Sequence, residues 1–520
     1  MTAAEQFDVA VVGGGHNALV AAAYLARAGR RVQVLERLEH VGGAAVSAHA
    51  FAGVDAQLSR YSYLVSLLPR QLLDDLGARV RLVQRRHSSY TPDPATAGRT
   101  GLLVGPGGSF DSVGAGADQA GFDEFYRRCR LVTERVWPTL VQPLRTTADA
   151  RRHVMAGGDP DAAAAWDVLI SQPIGTAISA AVDHDLLRGV MATDALIGTF
   201  ARTDDPSLVQ NVCFLYHLVG GGSGDWDVPV GGMGAVSGAL ATAASRHGAE
   251  LVTGAEVYAI TPDGEVRYRR DGRERVTHAR WVLSGVTPTV LTALLGEPEP
   301  AAAPGAQVKV NLMLTRLPRL RDPSVAPEQA FGGTFHINEN LTQLDAAYDA
   351  AAAGRIPDPL PCEIYCHSLT DPTILSDELR SAGAQTLTVF GLHTPHSLTT
   401  AADPDVLRTR LTDAVLASLN SVLAEPIQDV VMTDADGKPC IETKTTADLE
   451  DALGMTAGNI FHGGLRWPFA DDDDPLETPP QRWGVATNHG RILLCGSGAR
   501  RGGAVSGIGG HNAAMAVLES

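Results

Sequence analysis

Two glycine-rich stretches at opposite ends of the chain carry the residues best suited to chemistry. The first, Gly13-Gly14-Gly15-His16-Asn17-Ala18, fits G-x-G-x-x-G/A with alanine in the last place. That spacing binds a pyrophosphate. Gly13 allows a tight turn, Gly15 has no side chain to block the phosphates, and Ala18 lets a helix pack close to a strand. Glu36 follows about twenty residues later, where an acid takes the ribose hydroxyls and disfavours a 2′-phosphate. The second stretch is "LLCGSGARRGGAVSGIGGHNAA", Leu493 to Ala514, with three glycines between Gly502 and Gly507. A helix starting near Val505 or Ser506 would offer its first amides to an anion. The reduced flavin ring, negative near N1 and O2, is such an anion.

The elements that must position these residues are legible nearby. "DVAVVGG" is an apolar run ending in glycine, as buried parallel strands do. A helix is predicted from about Asn17 to Ala28, stopped by Gly29, and "RVQVLER" is a second strand ending at Glu36 and Arg37. Strand, turn, helix and strand in this order turn a weak motif into a strong one. Gly42 and Gly43, followed by Ala44, form a loop after the second strand, where flavoproteins lay backbone beside the pyrophosphate. Gly496 opens the loop after the strand Ile492 to Cys495.

The 520 residues are too many for one ordinary core. We expect an α/β protein: a discontinuous Rossmann-like FAD-binding domain (1–75, 226–305 and 481–520), a helical cap or part of the substrate domain (76–225), and a mixed-sheet substrate domain (306–480). The net charge of −17 argues against nucleic-acid binding. Six scattered cysteines, with none before Cys129, suit a reducing compartment. Cys362 and Cys366 fall on one face of a predicted strand and read as core cysteines, and no metal site is expected. Asp471 to Asp474 read as solvated surface. The start of the chain lacks signal-peptide features and no apolar run is long enough to span a membrane. A cytoplasmic location follows as the expectation, compatible with peripheral membrane contact.

The quoted stretches, together with "LSRYSYLVSLL", "VPVGGMGAVSGAL" and "GNIFHGG", resemble the phytoene desaturase-related flavoproteins along essentially the whole chain. The closest resemblance is to the branch named for pyridine nucleotide-disulphide oxidoreductase domain-containing protein 2. The resemblance implies non-covalent FAD, an amine oxidase/phytoene desaturase type of fold, and redox chemistry on an apolar or amine substrate. It also implies that Val257 meets the adenine through its backbone. Ala44 stands where many amine oxidases place arginine, so Arg37, Arg500 or Arg501 are candidates for the compensating charge. No cysteine lies in the loop after Gly496, which disfavours a thioether-linked flavin. A disulphide-reductase mechanism is not expected, because no cysteine pair lies near the flavin motif and no second complete nucleotide motif is found.

Hydride removal at a flavin asks mainly for a positioned substrate and a dry cavity, so no catalytic dyad is required. His462 is the candidate for a substrate or proton role, against the reading of a hydrogen-bonded structural histidine. Tyr61, Tyr63, Trp226, Arg466 and Trp467 are placed as cavity walls, and His16 as a cofactor contact. The expected function is an FAD-dependent dehydrogenase, desaturase or oxidase acting on a C–C or C–N bond. The electron acceptor would be oxygen, a quinone or a protein. A flavin amine oxidase is the alternative within the class, and a non-catalytic prenyl or lipid-binding chaperone of related fold the alternative outside it. Substrate, acceptor and oligomeric state are not legible.

Overall fold

A computed structural model describes residues 5–520. The first apolar run forms strand β1 (Glu5–Val12), followed by helix α1 (His16–Arg27) and strand β2 (Val32–Leu35). The valines and leucine of β2 suit a strand covered on both faces, and all four of its residues are buried. Helix α1 is alanine-rich because little space surrounds it. It packs against both Met233–Arg246 and Ile508–Leu518, and everything from Ala18 to Leu25 is buried.

β1 lies between β2 and the long strand Arg273–Ser284, parallel to both. Glu250–Val252 extends the sheet beyond β2, and Ile492–Leu494 pairs in parallel with the end of Arg273–Ser284. Glu256–Ile260 and Glu265–Arg270 add an antiparallel edge. Three separated parts of the chain therefore build one seven-stranded sheet.

A second seven-stranded sheet is mixed. Gln307–Leu314 pairs along its whole length with Gln385–Leu392, and Ser89–Pro92 and Gly101–Val104 form one margin. The segment 76–225, read from the sequence as mainly helical, thus also gives two strands to this sheet before its helices begin at Gln119–Val136.

Gln307–Leu314 is buried along its whole length but its two faces differ in chemistry. Val308, Val310, Leu312 and Leu314 enter the apolar core beneath helix Pro404–Val422. The opposite face carries Gln307, Lys309 and Asn311, which bond outward to backbone. Lys309 Nζ donates to the carbonyls of Ser59 at 2.8 Å and Ser62 at 3.0 Å, and Asn311 Nδ2 reaches Arg60 O. This strand therefore holds the 59–62 loop, which leads into Tyr63. All six cysteines are free and buried, and Cys366 lies just past its strand as the cap of a short helix. Asp471, Asp472 and Asp473 are exposed. Among the described residues no helix is long and apolar enough to cross a membrane.

Burial of Lys309, only 2% exposed, pulls its ammonium down to about 7. An unfolded lysine titrates near 10.4. Between these values the unfolded chain binds a proton that the folded chain does not, so this group makes stability rise with pH. Below about 7 both states are protonated and the cost of burying the charge is felt in full. Lys309→Met should remove this slope. Denaturant unfolding at pH 6 and pH 9 checks it: wild type should gain about 2–3 kcal/mol relative to the variant over that interval.

Candidate active site

One cavity of about 400 Å³ runs between the two sheets, and both glycine-rich stretches open onto it. Gly13 and Gly15 line it with His16, Asn17 and Ala18 from the start of α1. A Cβ on Gly15 would meet nothing within 4 Å, so this glycine borders open space that a side chain would fill. That is the shape a pyrophosphate requires. Gly42 has φ +125° and donates its N–H to Gly14 O at 2.8 Å, which fixes the second loop against the first. Gly43 and Ala44 face the cavity, whereas Gly42 braces them from behind.

Glu36 is buried and lines the cavity. Its Oε2 accepts the Gly14 N–H at 2.6 Å and its Oε1 accepts the Leu38 N–H at 2.8 Å. The carboxylate thus braces the glycine turn. With about four lone-pair sites it retains capacity for ribose hydroxyls. Arg37 lines the cavity beside it and donates to Ala452 O at 3.0 Å. Val257 lines the same region, as do Leu449 and Leu453 from helix Thr446–Leu453.

The C-terminal loop closes on α1. Asn17 Nδ2 donates to Ser497 Oγ and to Gly502 O, both at 3.2 Å, and His16 Nε2 contacts Ala504 O at 3.1 Å. Burial pulls the His16 imidazole down to about 4, so it is neutral at ordinary pH. Gly496 and Val505 line the cavity. Ser506 and Gly507 do not. Gly507 adopts φ +73°, which a helix interior cannot use, so the helix starts at Ile508 rather than at Val505 or Ser506. Ser506 Oγ instead accepts the Ile508 N–H at 3.2 Å.

Two proposed charges lie elsewhere. Arg500 bonds Phe469 O at 2.6 Å and Asp474 at 3.0 Å. Arg501 is buried on the carbonyls of Thr139, Gln142 and Trp483. Neither lines the cavity, and Arg37 is the one of the three candidates that does.

The remaining wall is aromatic. Tyr63 stacks near Trp226, with centroids 6.2 Å apart and planes within 5°, and lies 4.6 Å from Phe390. Trp226 donates Nε1–H to His217 O at 3.0 Å and stacks on the His217 ring at 5.2 Å. Tyr61 also lines the cavity. Arg466 and Trp467 do not: Arg466 is exposed and Trp467 stacks on Phe469 at 5.6 Å. Their nearness in sequence to His462 misleads because Leu465 is the next residue of this stretch to reach the cavity, and the chain leaves it after that. His462 lines the cavity at φ +63°, held by its N–H to Asn459 O. Its Nδ1 is buried with no partner among the described residues, and burial, with His16 nearby, pulls the ring down to about 4. It presents a neutral imidazole with hydrogen-bonding capacity to spare.

Phe390, His217 and Tyr216 are wall residues that no sequence pattern marks. They come from Gln385–Leu392 and Val209–Leu218, where they read as ordinary strand and helix residues.

The fold and the cavity define a dinucleotide-binding protein of amine oxidase-like architecture. Residues 11–86 match the model of an NAD(P)-binding Rossmann-like domain. Wild-type putrescine oxidase bound to putrescine superposes with a TM-score of 0.57 at 16% identity, over 99% of each chain. An uncharacterized protein of Mycobacterium tuberculosis (strain H37Rv) is 69% identical over 98% of this chain and 97% of its own. Pyridine nucleotide-disulfide oxidoreductase domain-containing protein 2 of Rattus norvegicus is 29% identical over 99% of this chain and 93% of its own. The chain belongs to the family of these relatives, that of pyridine nucleotide-disulfide oxidoreductase domain-containing protein 2.

Gly15→Ala tests the cradle. Gly15 has φ −67°, which alanine adopts freely, and open space beyond it, so the protein should fold with unchanged thermal stability. The methyl would intrude on the pyrophosphate, at about 1–3 kcal/mol. Dinucleotide affinity measured by fluorescence or calorimetry should fall roughly tenfold to a hundredfold.

Proposed function

We propose that the protein is an FAD-dependent oxidoreductase that removes hydride from a C–C or C–N bond of a largely apolar small molecule. One observation carries this: a single cavity joins the phosphate cradle at Gly15 and Glu36 to the aromatic wall at Tyr63, Trp226 and Phe390. Gly13, Gly15, Gly43 and the first amides of α1 would hold the pyrophosphate, Glu36 the ribose and Val257 the adenine. The Gly496 loop and the residues up to Val505 would border the flavin. When bound, FAD supplies the hydride acceptor. The chain's own contribution is to place an apolar substrate against the aromatic wall, to exclude water, and to offer His462 as a neutral hydrogen-bonding group. In this reading the FAD is held non-covalently and its electrons pass to oxygen, a quinone or a protein.

An absorption spectrum of the purified protein tests the reading. Flavin bands that bleach anaerobically with apolar or amine substrates, but not with NADPH, are expected. A colourless protein that takes up no added FAD would overturn it and favour a non-catalytic lipid-binding role.

A further inference from the structure

The second sheet carries a buried polar group on the face turned away from helix Pro404–Val422. Phe335, Ile337 and Ile364 enter the apolar core beneath that helix, so alternation along the strands sends His336 and Glu363 to the other side. These two stand directly opposite each other on the antiparallel strands Thr334–Ile337 and Cys362–Tyr365. Asn338 then takes φ +58°, a conformation asparagine tolerates, and the chain turns so that Glu339 comes back beside His336. His336 Nδ1 lies 2.7 Å from Glu339 Oε2. A ring nitrogen of His336 and one carboxylate oxygen from each of Glu339 and Glu363 all lie within 4.8 Å of one another. Glu339 is fully buried, Glu363 is 2% and His336 4% exposed.

The helical segment seals this group. Helix Asp185–Ala192 crosses it at Gly189, where a Cβ would collide with the Glu339 carbonyl oxygen. Thr193, just past that helix, donates its hydroxyl to Glu363 Oε1 at 2.6 Å, and Tyr365 donates to Glu363 Oε2 at 2.5 Å. These bonds fix the carboxylate and leave each of its oxygens a further lone pair. Glu339 Oε1 is buried without a partner among the described residues.

No side chain offsets the charge. Among the described residues, His336 is the only basic group that pairs with either carboxyl. Arg85 bonds instead to Trp226 O and Thr334 Oγ1. Burial, and then the neighbouring Glu339, push Glu363 up to about 7, and burial pushes Glu339 well up too. Two carboxylates buried together are costly unless a cation joins them. Protonation would lower the charge, but it gives Glu339 Oε1 no partner. A divalent ion does both. Ligands about 2.0–2.2 Å from such an ion stand roughly 3.5 Å from each other, so the three donors need to close by only about 1 Å.

We propose that His336, Glu339 and Glu363 bind one divalent transition-metal ion, zinc in the first instance, and that this ion ties the second sheet to helix Asp185–Ala192. One imidazole nitrogen with two carboxylates suits zinc, and the two negative charges match the ion's two positive ones. The site takes no thiolate, since Cys362 is turned to the opposite face and bonds Leu360 O. Thr193 and Tyr365 are positioning residues that hold Glu363 in place. None of the three ligands lines the cavity, so the ion is structural and stands apart from the redox chemistry.

The test uses purified, untagged full-length protein from zinc-supplemented culture. Elemental analysis should find one zinc per chain. After chelation, one equivalent of zinc should raise the unfolding temperature by about 5 °C. Cobalt(II) in its place should give visible bands of nitrogen and oxygen coordination. Glu339→Gln and His336→Gln should lose the zinc. Thr193→Val keeps all three ligands and should weaken zinc binding roughly tenfold to a hundredfold. Should the ligand variants not fold, chelated wild type decides: if it gains no thermal stability from zinc and shows no cobalt bands, the site is refuted. Unchanged zinc content in both ligand variants would also refute it, by placing the ion elsewhere. No readout involves a dinucleotide, so a failure of the oxidoreductase reading would leave these outcomes unaltered.

Discussion

Gly510→Ala should cost the protein about 3 kcal/mol or more and release its dinucleotide. A Cβ at this position would sit 1.8 Å from Asn17 O and 3.0 Å from Ala21 N. Both atoms belong to the backbone of α1, so no side chain can move aside. The two helices must separate, and Asn17 is the residue that ties the cradle to the C-terminal loop. Strain here reaches the phosphate site directly. Gly238→Ala is the matched control. Gly238 also lies within a helix, but its added Cβ would meet nothing within 4 Å. That substitution should be neutral or stabilising by about 0.5–1 kcal/mol, the ordinary helix preference for alanine. Thermal unfolding and retained cofactor, measured on both variants, check the prediction. Equal behaviour of the two would refute the close-packing argument.

Arg501→Met should destabilise by about 2–4 kcal/mol. The guanidinium is 2% exposed and donates to three carbonyls, Gln142 O at 2.7 Å, Thr139 O at 3.0 Å and Trp483 O at 3.2 Å. Burial pulls it down to about 10, so it remains charged at neutral pH. No carboxylate bonds to it among the described residues. Two effects therefore compete. Desolvating an unpaired cation is costly, yet each carbonyl receives a charge-assisted bond, stronger than a neutral one. Three such bonds outweigh the loss, since methionine would leave three acceptors facing an apolar chain. Arg501→Lys should recover less than half, because a single ammonium cannot span carbonyls from segments 139–142 and 483 with a fork's geometry. Denaturant unfolding of both variants gives the values, and a Met variant as stable as wild type would show that desolvation dominates.

The parts of the fold that could be read from sequence share a cause. β1, α1 and β2 are local, with a strand, a turn and a helix whose residue types are dictated within some thirty positions. Glu36 falls in the cavity because the length of one helix and one strand fixes its distance from Gly15. The wall was harder to read. Tyr63 and Trp226 announce themselves as aromatics near glycine motifs, but Phe390 and His217 arrive from distant elements. Lys309 gave no signal, since a single lysine in "QVKVNLML" looks like the exposed face of a strand. It is buried because both faces of that strand are covered, which is a tertiary fact. Arg466 and Arg501 show the reverse error. Arg466 reads as a cavity wall and Arg501 as a charge for the pyrophosphate, yet one is turned to solvent and the other is spent on carbonyls. The carboxyl pair was invisible for a similar reason. Glu339 and Glu363 meet only through strand pairing, and no local pattern encodes that meeting.

The bonds from Asn17 to Ser497 and Gly502 have a consequence for biosynthesis. A ribosome delivers α1 early, with its apolar alanine surface complete, and must add several hundred residues before the loop and helix that cover it exist. During that interval the glycine turn has no lid and α1 has an uncovered flank. The second sheet, with the helices around it, can assemble meanwhile from residues made in between. A nascent or truncated chain lacking that loop would then be distinguishable from a finished one by a weaker hold on any dinucleotide.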